Sequence, residues 1–229
     1  MKTPVLILAV SAVVAARAPL AAQGSPSERE LPQLAQELFA AETVYPQERG
    51  EVQLTAFTPV GEAEHPRILG EYGITDRLQA SLVTPALGSG DEGEENAWEA
   101  GVLYALLPTA SPIAVSVEME VSLADGQAPQ WEPAVIAARD FGRVQLHGSV
   151  RTELSDAGDE VSGALAALVD AGRLTPTLEA VWAASGDDLL VPGLFVHPMH
   201  DVEAAIGVPV CLTCQQTRGG VRLMFTVEF

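Results

Sequence analysis

The stretch Gly220-Val221-Arg222-Leu223-Met224-Phe225-Thr226-Val227-Glu228-Phe229 decides the reading of this chain. Val221, Leu223, Phe225, Val227 and Phe229 fall at every second position. A strand turns alternate side chains to opposite sides, so these five share one continuous apolar face. An apolar strand face can pack on a protein core or meet lipid. In hydrocarbon an open sheet edge would leave backbone groups unpaired, so a lipid-facing strand must pair on both sides and close its sheet.

The same period of two runs back to about Tyr45. Twelve segments of alternating hydropathy fall near 49–58, 66–74, 77–86, 97–107, 112–123, 131–139, 143–154, 161–171, 173–185, 189–197, 201–211 and 219–229. Every second connection is tight: Thr75-Asp76, Pro108 to Pro112, Asp140-Phe141-Gly142, Ala171-Gly172 and Pro198 to His200. The others are longer or more acidic: Ser89 to Asn96 carries Asp91, Glu92, Glu94 and Glu95, Leu154 to Glu160 carries Asp156, Asp159 and Glu160, and Ser185 to Asp188 carries Asp187 and Asp188. Short periplasmic turns alternating with longer external loops mark an up-and-down transmembrane antiparallel β-barrel of about twelve strands. A soluble, secreted β-sandwich also has alternating strands but gives no reason for that asymmetry.

Within the segments, Val115, Val117, Met119, Val121 and Leu123 oppose Ser116, Glu118, Glu120 and Ser122. Val144, Leu146, Gly148 and Val150 likewise oppose Gln145, His147, Ser149 and Arg151. The apolar set is expected to meet lipid and the polar set the lumen. Ala134 to Ala138 and Ala164 to Val169 are apolar on both faces, which points to a narrow, partly filled interior. In this topology Trp98, Trp131 and Trp182 fall at the external interface as an aromatic belt, while Tyr72, Tyr104 and Phe229 fall toward the periplasmic end.

Composition agrees with a barrel better than with a soluble globule. Hydrophobic residues make up 48% of the chain, yet the net charge is −19. Mean hydropathy is +0.20. The 31 acidic residues against 12 basic ones argue against a nucleic-acid partner. Residues 1–22 have the form of a signal peptide: Lys2, an apolar run from Val5 to Ala16, and small residues at Ala21 and Ala22. Residues 23–45 form a separate N-terminal segment, and the barrel takes 46–229. Ser25 to Ala41 predicts a short helix, capped by Ser25 or Ser27, acidic at Glu28 and Glu30, and apolar at Leu31, Leu34, Leu38 and Phe39. That helix is either a periplasmic lead-in or a plug folded against the barrel. Cys211 and Cys214 form one C-x-x-C, for which a disulfide is the expectation in an exported chain.

The terminal alternation resembles the signal by which the outer-membrane assembly machinery recognises its substrates. Glu71-Tyr72-Gly73-Ile74-Thr75-Asp76-Arg77-Leu78 resembles the first periplasmic hairpin of the outer-membrane proteins grouped with the meta-pathway of phenol degradation. Arg173 to Leu178, Pro192-Gly193-Leu194 and Gly207-Val208-Pro209-Val210 resemble their later hairpins. The resemblance implies a porin-like barrel of the transporter type in a Gram-negative-type envelope, and it supplies no catalytic or binding residue.

Three constellations could carry chemistry. His147-Gly148-Ser149 resembles the His and Ser pair of outer-membrane phospholipase A, but here alternation turns both residues to the lumen, and the only asparagine is Asn96. His197-Pro198-Met199-His200, with Asp201, is too poor in ligands for a metal site. The inward acids are the strongest feature: Glu71, Glu99, Glu118, Glu120, Glu153, Glu179, Glu203 and Glu228, against Arg151 and Arg222. Low-dielectric walls focus such a field, so the expectation is a passive pore or small-solute binding barrel that favours cations. The alternatives are a structural or adhesion-type barrel with a cross-linked, filled lumen and functional loops, and, third, a lipid hydrolase. No enzyme activity, cofactor or metal is expected. The expected partners are outer-membrane lipid, lipopolysaccharide, the assembly machinery and a small solute or cation, with the barrel a monomer.

Overall fold

The computed structural model describes residues 33–60, 66–85, 97–107, 111–124, 126–156, 158–184, 188–213 and 220–229. Its strands are β1 (Val52–Val60), β2 (Arg67–Thr75), β3 (Leu78–Val83), β4 (Trp98–Leu107), β5 (Ala114–Leu123), β6 (Gln130–Asp140), β7 (Val144–Ser155), β8 (Gly158–Val169), β9 (Leu174–Ala183), β10 (Leu189–Met199), β11 (Val202–Gly207), β12 (Val210–Cys211) and β13 (Val221–Glu228). From β1 to β11 each strand pairs antiparallel with the next, and β13 pairs with both β11 and β1, so the sheet closes on itself. β11 and β12 both pair with β10 and are two pieces of one barrel strand, interrupted at Val208-Pro209 where proline has no N–H to give the ladder. The result is a closed antiparallel barrel of twelve strands.

Closure runs along the whole of β13. Ala56 stands opposite Phe225 on one side, and Ala204 stands opposite it on the other. The Phe229 N–H donates to Val52 O at 2.9 Å, and the Val52 N–H returns a bond to Phe229 O at 3.2 Å. Most strands are 8 to 12 residues long, close to the roughly 9–11 that a tilted strand needs to cross hydrocarbon. Among the described residues no helix is long and apolar enough to cross a membrane.

Alternation sorts the faces as the sequence predicts. Val102, Tyr104, Met119, Val135, Leu146, Leu165, Leu178 and Phe225 are exposed on the outside, while Leu103, Ser116, Ile136, Gln145, His147, Thr177, Glu179 and Thr226 are buried inside. Trp98, Trp131 and Trp182 are exposed on the outer face near one end, and Tyr72 and Tyr104 near the other.

The connections at the tyrosine end, the turn end, are tight for a physical reason visible twice. Asp140 Oδ1 accepts from the Gly142 N–H at 2.6 Å, and Asp170 Oδ1 from the Gly172 N–H at 2.9 Å. Both glycines have positive φ, 87° and 79°, which glycine adopts without steric cost.

Several expectations need correction. The stretch Leu154 to Glu160 is not a long loop: β7 runs to Ser155 and β8 starts at Gly158, so Asp159 and Glu160 stand in the strand. Gly158, with φ 132°, makes that reversal in the space of two residues. The turn expected at Pro198 to His200 sits at His200-Asp201, because β10 continues through Met199. The acidic run Asp91 to Glu95, Asp187, Cys214 and residues 25–32 of the expected helix lie outside the described residues. Its remainder, 33–41, is not helical but a chain of bends. The reason lies in the barrel wall, which takes the backbone donors a helix would have used.

Candidate functional site

Residues 33–51 lead into β1 through the inside of the barrel. The path is fixed by what each residue touches. The Gln36 N–H donates to Glu203 Oε2 at 3.2 Å, and its side-chain amide donates to Glu228 Oε2 at 2.5 Å, both near the turn end. Three residues on, Glu179 on β9 receives three consecutive amides: Phe39 at 3.0 Å, Ala40 at 2.8 Å and Ala41 at 2.9 Å. Arg222 Nη1 donates to Phe39 O at 3.1 Å. One carboxylate and one guanidinium thus satisfy backbone groups that would otherwise be buried without partners.

The chain then returns to the turn end. Ser116 Oγ donates to Val44 O at 2.6 Å, Tyr45 stands edge-on to His147, and the Gln47 N–H donates to Gln79 Oε1 at 2.7 Å. Gln47 Nε2 donates to Gln53 Oε1 at 2.7 Å, and Gln53 Nε2 to Glu71 Oε2 at 2.5 Å. Gln79 Nε2 donates to the other oxygen of Glu71. Residues 33–51 are therefore an inserted loop, entering and leaving at the turn end with its tip at Ala40–Glu42. It is the plug, not the lead-in.

Packing follows the same path and accounts for the strands that are apolar on both faces. Leu38 and Phe39 sit among Ala164, Ala166 and Leu168 of β8, Val191 and Phe195 of β10, Ala205 and Met224. Val44 and Tyr45 sit among Leu103, Ala114, Ile136 and Ala138. Three glycines make room. A Cβ on Gly193 would come within 2.4 Å of the Phe39 ring, and one on Gly207 within 3.0 Å. A Cβ on Gly73 would come within 1.8 Å of Glu48 O.

Above the packed part lies a concentrated charge cluster. Arg151 on β7 reaches Glu120 and Glu132 through Nη1, at 2.7 and 3.0 Å. Its Nη2 reaches Glu42 of the plug tip at 2.6 Å and Glu118 at 3.2 Å. Beside it is a cavity of about 200 Å³ lined by Ala40, Glu42, Ser149, Arg151, Ser162 and Val181, among others. These wall residues lie in the middle of their strands or in the half nearer the loop end.

The sequence-predicted lumen residues are all on the inner side, but in separate groups. Glu118, Glu120 and Arg151 form one cluster. Glu71 belongs to the glutamine network at the turn end, Glu179 and Arg222 hold the plug backbone, and Glu203 with Glu228 holds Gln36. Glu99 pairs with Arg67 at 2.7 Å, and Glu153 accepts from Gln130. Cys211 is disulfide-bonded. Val221, Leu223, Phe225, Val227 and Phe229 share the outer face of β13. Sequence reasoning missed Glu42, which lies just past the predicted helix, and Glu132, although the segment 131–139 contains it. Counting inward alternation back from Ala138, Ile136 and Ala134 reaches Glu132.

Two arrangements with an enzyme-like look do not make a reactive site. His147 and Ser149 are buried on the lumen side, and His147 Nε2 pairs with Gln145 Oε1 at 2.8 Å. Thr175, His197 and Glu203 form a hydroxyl–imidazole–carboxylate chain at 3.4 and 3.5 Å, but the Thr175 side chain is 2% exposed and no substrate carbonyl could reach it.

No family model and no curated protein matches the sequence. Solved structures match the fold. The KdgM porin has a TM-score of 0.54 at 12% identity, over 78% of this chain and 98% of that one. The same porin in complex with disordered oligogalacturonate has a TM-score of 0.53 at 10% identity, over 78% and 98%. An outer membrane channel from Pseudomonas putida F1 has a TM-score of 0.51 at 10% identity, over 81% and 98%. The chain has the fold of bacterial outer-membrane barrels of the porin and channel class.

Proposed function

We propose that this protein is an outer-membrane channel for small solutes, favouring cations, whose resting state is closed by its own residues 33–51. The observation that carries this reading is how the plug is held. Gly50 and Glu51 pair by backbone with Gly73 of β2, but among the described residues 33–47 no backbone group pairs with the backbone of a strand. That stretch is tied by the wall side chains of Glu179, Glu203, Glu228, Gln79, Ser116, Arg151 and Arg222, contacts that can be exchanged without opening the barrel. Apart from Arg67, Arg151 and Arg222, the polar side chains named in the lumen are acidic or neutral, so an opened lumen would present a negative field. Barrel class, the terminal alternation on β13 and the hairpins that resemble meta-pathway proteins support placement in the outer membrane, with assembly machinery, lipid and lipopolysaccharide as partners and a single chain as the working unit. The KdgM porin was solved in complex with disordered oligogalacturonate, whereas the arginines described in this lumen, Arg67, Arg151 and Arg222, are already engaged by carboxylates or by the plug backbone.

The test is planar-bilayer conductance of the full chain against a variant lacking residues 33–47. The full chain should give rare or small events and the deletion a steady cation-selective current. Anion selectivity, or silence from both proteins, overturns the reading. Silence from both is also what a structural barrel gives, and the filled lumen is the observation in that reading's favour.

A further inference from the structure

The cavity beside the plug tip has the makings of a ligand site. Its volume of about 200 Å³ is below the roughly 300 Å³ at which pockets for drug-sized ligands begin, so its occupant is only a few heavy atoms. Ser149 lines it while its side chain is 8% exposed, and the Ser149 hydroxyl has no hydrogen-bond partner among the described residues. A hydroxyl that is open to a cavity and has no protein partner keeps both donor and acceptor capacity for a ligand. Ser162 adds a second hydroxyl, and Ala40 and Val181 add apolar surface.

Charge chooses the ligand. An anion would need Arg151, but that guanidinium already donates to Glu132, Glu42 and Glu118 and is paired with Glu120 at 2.7 Å. The carboxylates are not used up in the same way. Arg151 takes one oxygen from each, and Glu42, four carboxylates to one guanidinium, lines the cavity. What the pocket lacks is a positive group with N–H donors and a short apolar tail.

We propose that this pocket binds a small alkylammonium ion, its N–H groups donating to Glu42 and Ser149 and its carbon chain lying on Ala40 and Val181. The inference rests on the channel reading in naming the class of solute that reaches the plug tip, and the plug residue Glu42 is then part of the binding site as well as of the closure.

Isothermal titration calorimetry on the full chain, refolded in detergent micelles, tests it with n-propylammonium chloride, n-propanol and sodium propionate. Propylammonium should bind saturably and at least about tenfold more tightly than the other two, the margin of one charge-assisted hydrogen bond. Glu42→Gln should weaken it about tenfold and Ser149→Ala about threefold. Should Glu42→Gln fail to refold, Ser149→Ala, which removes a single hydroxyl, decides. Absence of propylammonium binding, equal binding of propanol, or full affinity in Ser149→Ala overturns the proposal. Calorimetry involves no transport, so the two readings fail separately. Cation-selective current without propylammonium binding removes the pocket alone, and binding without current removes the channel alone.

Discussion

Glu42 at the tip of the inserted loop lies 2.6 Å from Arg151, the shortest of four carboxylate contacts on that guanidinium. Arg151 is the common counter-ion of Glu118, Glu120 and Glu132 as well, so it joins three wall strands and the plug. Replacing it with methionine keeps the bulk and leaves four carboxylates facing one another. Breaking a fully buried pair costs roughly 3–5 kcal/mol. The Arg151 side chain is 22% exposed, so Arg151→Met should cost about 2 kcal/mol or more, seen as a lower denaturant midpoint in micelles. Glu42→Gln, which removes one of four acids, should cost far less.

Phe39 and its glycines give a second test. Gly193 faces the Phe39 ring with no room for a Cβ, so Gly193→Ala must push the ring out of place. The plug should then be cut faster by protease between residues 33 and 51, while the barrel keeps its heat-resistant mobility on gels. In a Phe39→Ala background only the approach to Thr177 Cγ2 at 2.9 Å remains, so Gly193→Ala should have a much smaller effect there. Residues in contact couple by about 0.5–3 kcal/mol in such cycles, and additive effects here would mean that Phe39 does not dock on Gly193.

Glu37 gives the plug a pH dependence. Its burial, and then the charges of Glu71, Glu42, Glu118 and Glu203, hold its carboxyl well above the ordinary range. The docked plug therefore binds more protons at Glu37 than the free segment does. Docking stability is fully present below the ordinary carboxyl range and falls as pH rises toward the elevated value. Proteolysis of the plug should accelerate as pH rises above the ordinary carboxyl range in the wild type. Glu37→Gln has no proton to lose and should flatten this site's share of the slope; an unchanged slope would exclude Glu37 as its source.

How much of this was legible beforehand depends on range. The strands were legible because each is a local pattern of period two, and the paired turns because Asp140 and Gly142, or Asp170 and Gly172, are neighbours. The faces of Val144 to Arg151 followed from alternation alone. The plug was only half legible. Leu34, Leu38 and Phe39 have helical spacing, but Glu179, some 140 residues away, takes the amides of Phe39, Ala40 and Ala41 that a helix would have used. A tertiary acceptor overrides local propensity here. The clue available was the doubly apolar character of Ala134 to Ala138 and Ala164 to Val169, which required something apolar inside. Nothing local identifies Gly193 and Gly207 as the notch for Phe39.

The assignment of outside to lipid leads to the last prediction. Leu165 is mid-strand in β8 and 56% exposed, with Ala164 and Ala166 buried on the other side. In water an exposed leucine could become arginine with little effect, within about 0.5 kcal/mol. At the middle of a bilayer the same change costs about 2–4 kcal/mol, and it costs less toward either interface. Leu165→Arg should therefore lower stability in lipid vesicles by that amount, whereas Val161→Arg, nearer the loop end of the same strand, should be milder. Equal tolerance of both would mean that this face meets water, and the barrel would have to be placed outside a membrane.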